Sequence, residues 1–276
     1  MKVASPRTLE EALRALRDAG KEARLLAGGT DLLVELEAGR AAPEHVVDLW
    51  SVAELRYARA EEGGVRFGAL TTCADLLRSP LAPDVLAAAA REVGAMQIQN
   101  RATLGGNLGT ASPAADLNPV LVALGARVRL VSLGGLRELA VDGFLVGYRA
   151  TARAPDELIE SIFLPARPAR EERRFRKVGT RRAQSIAKLV VALAWTLDER
   201  GNVSALRGAA GSLAERTVRL AELERALQGG PLDPARVREA VRASATKDVR
   251  PRDDVRSTAS YRRQVYARVV RDLLLH

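Results

Sequence analysis

Between Asn100 and Pro119 the chain reads NRATLGGNLGTASPAADLNP, twenty residues with three glycines and almost no bulk. Without a Cβ, glycine lets the main chain approach a ligand closely, and a run so short of side chains offers such a backbone. A second stretch, ARLLAGGTDLLVELEAG, has the same character: an apolar strand over Ala23 to Ala27 runs into Gly28-Gly29-Thr30 and a second apolar segment. Consecutive amides at such bends can turn toward one anion, and phosphate is the natural guest. Two of them could grip a diphosphate from either side. Neither run has the G-x-G-x-x-G spacing of the dinucleotide fingerprint, and the lysine of a P-loop is absent. On spacing alone, tight turns with positive φ are an equally good reading.

The chain has 276 residues, enough for a substantial core, with Lys and Arg exceeding Asp and Glu by 43 to 34 and a net charge of +9. Most of that charge is Arg interleaved with acids along helical stretches, the pattern of a solvated face rather than a nucleic-acid reader. The densest cluster, Ala166 to Lys177, contains only Phe175 as an aromatic, so no nucleic-acid partner is expected. No apolar run approaches the roughly 20 residues of a membrane span, and the start MKVASPRTLEEAL lacks a signal-peptide pattern. The cytoplasm is the expected location. One cysteine, Cys73, excludes an internal disulfide and an all-cysteine cluster, and the two histidines, His45 and His276, offer little for a metal. His45 opens the strand HVVDLW and reads as structural.

Thr8 and Glu11 form a capping box ahead of Leu9, Leu13 and Leu16 at helical spacing, closed by Gly20. GVRFGAL reads as a strand, TTCADLLRS and APDVLAAAAREVG as helices, NPVLVALG as a short helix from Pro119, with a strand beginning near Arg127. DELIESIFLP is a strand ending at Pro165. The charged ARPAREERR behind it reads as a linker, dividing the chain into residues 1–165 and 170–276. Beyond it, FRKVG, LVVALAWTL and the segment after Arg200-Gly201-Asn202 make an antiparallel meander. Helices RTVRLAELERALQ, ARVREAVRAS and one from about Ser257 complete an α+β unit.

AGGTDLL, TLGGNLGTASPAADLNPVLVALGARVRL, FRKVG and the C-terminal YRRQVYARVVRDLL together resemble the FAD-binding medium subunit of the molybdenum hydroxylases, the family of carbon monoxide and xanthine dehydrogenases. The resemblance covers the whole chain. It implies an α+β fold with an FAD-binding region of the vanillyl-alcohol-oxidase (PCMH) type and a smaller C-terminal domain of antiparallel strands and helices. It also implies a small 2Fe-2S subunit and a large molybdenum-cofactor subunit as partners in a heterotrimer, itself dimerised, with NAD or another species as electron acceptor. A stand-alone flavin oxidoreductase of the same superfamily is the alternative.

Position by position, the family's first phosphate loop falls on Leu25, Leu26, Ala27, Gly28, Gly29, Thr30, Asp31 and Leu32. The second falls on Thr103, Leu104, Gly105, Gly106 and Asn107. Asp116 matches a carboxylate that bonds hydroxyls of the cofactor's adenosine side, Ile159 an apolar contact and Lys177 a residue near the cofactor. Taken singly, Asp116 reads as a cap for the helix at Asn118-Pro119 and Lys177 as a solvated charge at a strand edge. Val93 and Ala183-Gln184 depart from the animal xanthine dehydrogenases, which carry a Phe and an acidic pair there. No side chain presents itself as a catalytic nucleophile or acid–base pair.

Overall fold

The computed structural model describes residues 1–181 and 183–276. Its first layer is a small parallel sheet in the order β1-β3-β2, from β1 (Lys2–Ala4), β2 (Arg24–Leu26) and β3 (His45–Asp48). Between β1 and β2 runs α1 (Leu9–Ala19), which starts as expected: Thr8 accepts from the Glu11 amide while the Glu11 carboxylate accepts from the Thr8 amide. Ala12, Leu13 and Leu16 bury its apolar stripe against Val47 and Leu49. After β2 the chain passes through the first glycine segment into α2 (Leu32–Glu37).

The second layer is a five-stranded antiparallel sheet, order β4-β5-β10-β6-β7: β4 (Ala58–Glu61), β5 (Gly64–Gly68), β6 (Arg127–Ser132), β7 (Gly135–Ala140) and β10 (Leu158–Pro165). Its inner face, Phe67, Val128, Leu130, Ile162 and Leu164, packs under α3 (Cys73–Arg78), α4 (Asp84–Arg91), α5 (Met96–Gln99), α6 (Leu104–Thr110) and α7 (Asn118–Ala123). Its outer face is polar: buried Arg66 meets Glu61, Glu138 and Ser161. A turn of helix, α8 (Val141–Phe144), leads into the hairpin of β8 (Leu145–Gly147) and β9 (Ala150–Thr151).

The third layer is the meander β11 (Glu172–Val178), β12 (Leu189–Leu197), β13 (Val203–Gly211) and β14 (Val218–Arg219). α9 (Ala221–Leu227), α10 (Pro234–Lys247) and α11 (Ala259–Leu275) cover one of its faces, burying Tyr266. On the other face Ala192, Ala194 and Ala209 join the core of the second layer. This is why LVVALAWTL reads as an unbroken apolar run: both faces of β12 are covered. Helix α7, buried along its whole length, is the shared wall.

Three sequence expectations shift. The charged stretch after Pro165 becomes strand from Glu172, because the register Glu172↔Trp195 through Val178↔Leu189 pairs every residue of β11 with β12. The front of RTVRLAELERALQ pairs with β13 as β14 before α9 begins, so a sheet edge overrides local helix propensity. The second glycine run, read as a bare bend, folds as helix α6.

Candidate functional site

The first glycine segment leaves the edge of the parallel sheet, since β2 pairs only with β3. Leu25 and Leu26 belong to β2, Gly29 takes φ 79°, and Leu32 is buried at the start of α2. From Ala27 through Leu32 no main-chain amide donates to an acceptor among the described residues. Six successive N–H groups are thus left without a main-chain acceptor, the kind of segment from which an anion nest can be built. Asp31 is turned aside by Arg149 of the β8–β9 hairpin, at 3.2 Å, and the same guanidinium reaches Glu35 of α2.

The second segment works differently. Thr103 caps α6, its hydroxyl accepting from the Gly106 amide at 3.0 Å. The Gly105 amide donates to the Ala69 carbonyl at 2.8 Å, Leu104 to Thr71 and Asn107 to Thr103. Neither Gly105 nor Gly106 has positive φ. The expectation of bare amides at a φ > 0 turn is therefore corrected for this segment, and its glycines serve close approach. A Cβ on Gly105 would lie 2.6 Å from the Cβ of Ala69, and one on Gly106 would lie 2.7 Å from the Thr103 hydroxyl.

Close packing brings the two segments together. A Cβ on Gly28 would fall 1.7 Å from the carbonyl oxygen of Arg101, and one on Gly106 would face Ala27 at 3.9 Å. Arg101 Nε donates to the Gly28 carbonyl at 3.2 Å, a contact that sequence reasoning missed although Arg101 is the first charged residue of the glycine-rich run. Ile159, on β10, abuts α6 where a Cβ on Gly109 would stand 3.3 Å from it.

Beyond α6, Ala111 turns the chain at φ 47° into the loop that carries Asp116. The loop rests on the meander: the Ser212 amide donates to the Pro113 carbonyl at 2.7 Å, and a Cβ on Gly211 would stand 3.1 Å from the same carbonyl oxygen. Asp116 does not cap α7, whose first turn has no side-chain cap. Its Oδ2 accepts from Lys177 Nζ at 2.7 Å, and Lys177 also donates to the Glu92 carbonyl. The lysine side chain is 2% exposed, so the reading of a solvated edge charge fails. β11 has a partner only on one side, but the Lys177 end points into the seam with α4 and the Asp116 loop.

Burial pushes the Asp116 carboxyl up to about 6 despite the neighbouring ammonium, and Glu92 pushes the same way. Cys73, buried and facing Asp116, is raised to about 12 and is inert as a nucleophile. Asp116 Oδ1, Asn107 Oδ1 and both amide atoms of Asn118 are buried without a partner among the described residues. Orphaned acceptors and free amides suit a ligand with hydroxyl donors and anionic groups, and a nucleotide has both.

The family described as FAD binding domain in molybdopterin dehydrogenase matches residues 1–167, and the one described as CO dehydrogenase flavoprotein C-terminal domain matches residues 174–276. The chain is 33% identical to the nicotine 6-hydroxylase medium subunit of Paenarthrobacter nicotinovorans over 98% of its length and 95% of that protein's. It is 33% identical to the xanthine dehydrogenase FAD-binding subunit of Escherichia coli O157:H7, covering 92% and 88%. A chain of the carbon monoxide dehydrogenase structure from Hydrogenophaga pseudoflava superposes with a TM-score of 0.94 at 29% identity, covering 99% of this chain and 95% of that one.

Proposed function

The chain belongs to the family of FAD-binding subunits of the molybdenum hydroxylases, and from that membership we propose that it is the medium subunit of such an enzyme, relaying electrons from the 2Fe-2S clusters of a small subunit to NAD or another acceptor. It is an oxidoreductase subunit and its cofactor is FAD. The flavin supplies the redox chemistry, and the protein supplies position and electrostatics.

The observation that carries the reading is the row of free amides from Ala27 to Leu32, closed against α6 and followed by the unpartnered oxygen of Asp116. The amides would hold the diphosphate, with Thr103 to Asn107 forming the opposite wall. Asp116 Oδ1 would accept from hydroxyls, Lys177 would keep that carboxylate in place, and Ile159 would give an apolar contact. In this reading residues 1–165 hold the cofactor and residues 170–276 form a smaller domain that closes over the Asp116 loop.

A single buried cysteine leaves no thiolate set for an iron-sulfur cluster in this chain, which fits clusters carried by a small partner subunit and a molybdenum centre carried by a large one, in a dimerised heterotrimer. Among the described residues no helix is long and apolar enough to cross a membrane, which fits the cytoplasmic location proposed here. Purified chain incubated with FAD should be yellow with an equimolar flavin content, and tagged chain from its native host should bring down a 2Fe-2S protein and a molybdenum protein. Reduction of the complex by NADH would identify NAD as acceptor. A folded, colourless chain that takes up no FAD overturns the proposal.

A further inference from the structure

Beside the free amides stands a feature the FAD reading leaves unused. The Trp50 ring, just beyond β3, carries two guanidinium groups: Arg101 lies 3.6 Å from its centroid and Arg56 lies 4.3 Å from it. Neither guanidinium meets a carboxylate among the described residues, in a chain where most arginines of the second layer are paired. Arg101 Nε is committed to the Gly28 carbonyl, and its two Nη groups donate to nothing among the described residues. Six free N–H groups and the uncommitted Nη groups of Arg101 at one bend offer donors and positive charge that suit an anion.

We propose that Arg101 is a further diphosphate-binding residue of this site, its Nη groups facing the anion while Nε and the Trp50 ring fix the guanidinium plane, with Arg56 acting through Trp50 as a positioning residue. A flat, delocalised cation suits this post because it can stack and donate at once, which an ammonium cannot. The stack also holds Arg101 before ligand arrives, lowering the ordering cost of binding. The inference rests on the FAD reading of the same site.

The test compares native chain, Arg101→Gln, Arg101→Lys and Arg56→Gln for FAD and ADP binding over a range of salt, followed by flavin absorbance and by Trp50 fluorescence, with Trp50→Phe separating that signal from Trp195. Arg101→Gln should weaken both ligands about ten- to a hundredfold and flatten the salt dependence, because a charge facing the anion is gone. Arg101→Lys should restore the salt dependence but only part of the affinity, and Arg56→Gln should show a smaller loss with the salt dependence intact. Equal denaturation midpoints for native and variant chains accompany the expected result. Native affinity and native salt dependence in Arg101→Gln overturn the arginine's role while FAD binding by the native chain stands. A native chain that binds neither FAD nor ADP overturns the site reading itself, and this inference with it.

Discussion

At Asp116 one carboxylate oxygen is held by Lys177 and the other is buried with no partner. A carboxyl whose folded value, about 6, lies above its unfolded value of 3.8 stabilises the apo-protein most fully below the lower figure, and that contribution is lost as pH rises through the upper one. Ligand hydroxyls favour the ionised form, so FAD should bind more tightly above about pH 6 than below it. Asp116→Asn should remove that pH dependence and weaken binding above pH 6 by about ten- to a hundredfold, measured by flavin titration at several pH values. An unchanged pH profile in the variant would mean that the orphaned oxygen meets solvent, not cofactor. The sequence pointed to Asp116 by its place in ADLNP. It could not show that the lysine 61 positions later would be its partner, since a pairing at that separation exists only after β11 has found β12.

At the scale of elements, two glycine runs that look alike in sequence do different work. In the first, the bend after β2 frees its amides, because Gly29 has positive φ and the bend follows an edge strand. In the second, Thr103 draws the chain into helix and the amides of Leu104 and Gly105 turn inward to Thr71 and Ala69. What both share is lack of room. Gly28 has ordinary φ, so Gly28→Ala tests space alone: its Cβ would overlap the Arg101 carbonyl. The junction of the segments should open, costing roughly 1 to 3 kcal/mol in a urea titration together with much of the FAD affinity. Wild-type stability in that variant would show that the two segments can part without penalty.

Across the whole molecule, the Asp116 loop is, with α7, a place where the first two layers and the meander meet. Lys177 comes from β11, the Glu92 carbonyl from the end of α4, and the Pro113 carbonyl is held by Ser212 beyond β13. Removing the lysine leaves a buried carboxyl without its cation and pushes it further toward the protonated form, so Lys177→Met should lose about 1 to 3 kcal/mol of stability near neutral pH by chemical denaturation. FAD should recover part of that loss by binding the folded form. A variant as stable as the native chain would mean that the pair is solvated after all. Local chemistry in the sequence determined much by itself: the Thr8 capping box, the apolar period of α1, the unbroken apolar run of β12 and the small-residue segments are consequences of side-chain size and polarity over a few neighbours. Only the tertiary structure decided that Gly105 and Gly106 are helical, that Val218 and Arg219 extend a sheet, that Lys177 is buried and that Arg101 stacks on Trp50. Each of these depends on a partner distant along the chain, and such a partner acts only once packing has brought it within a few ångströms.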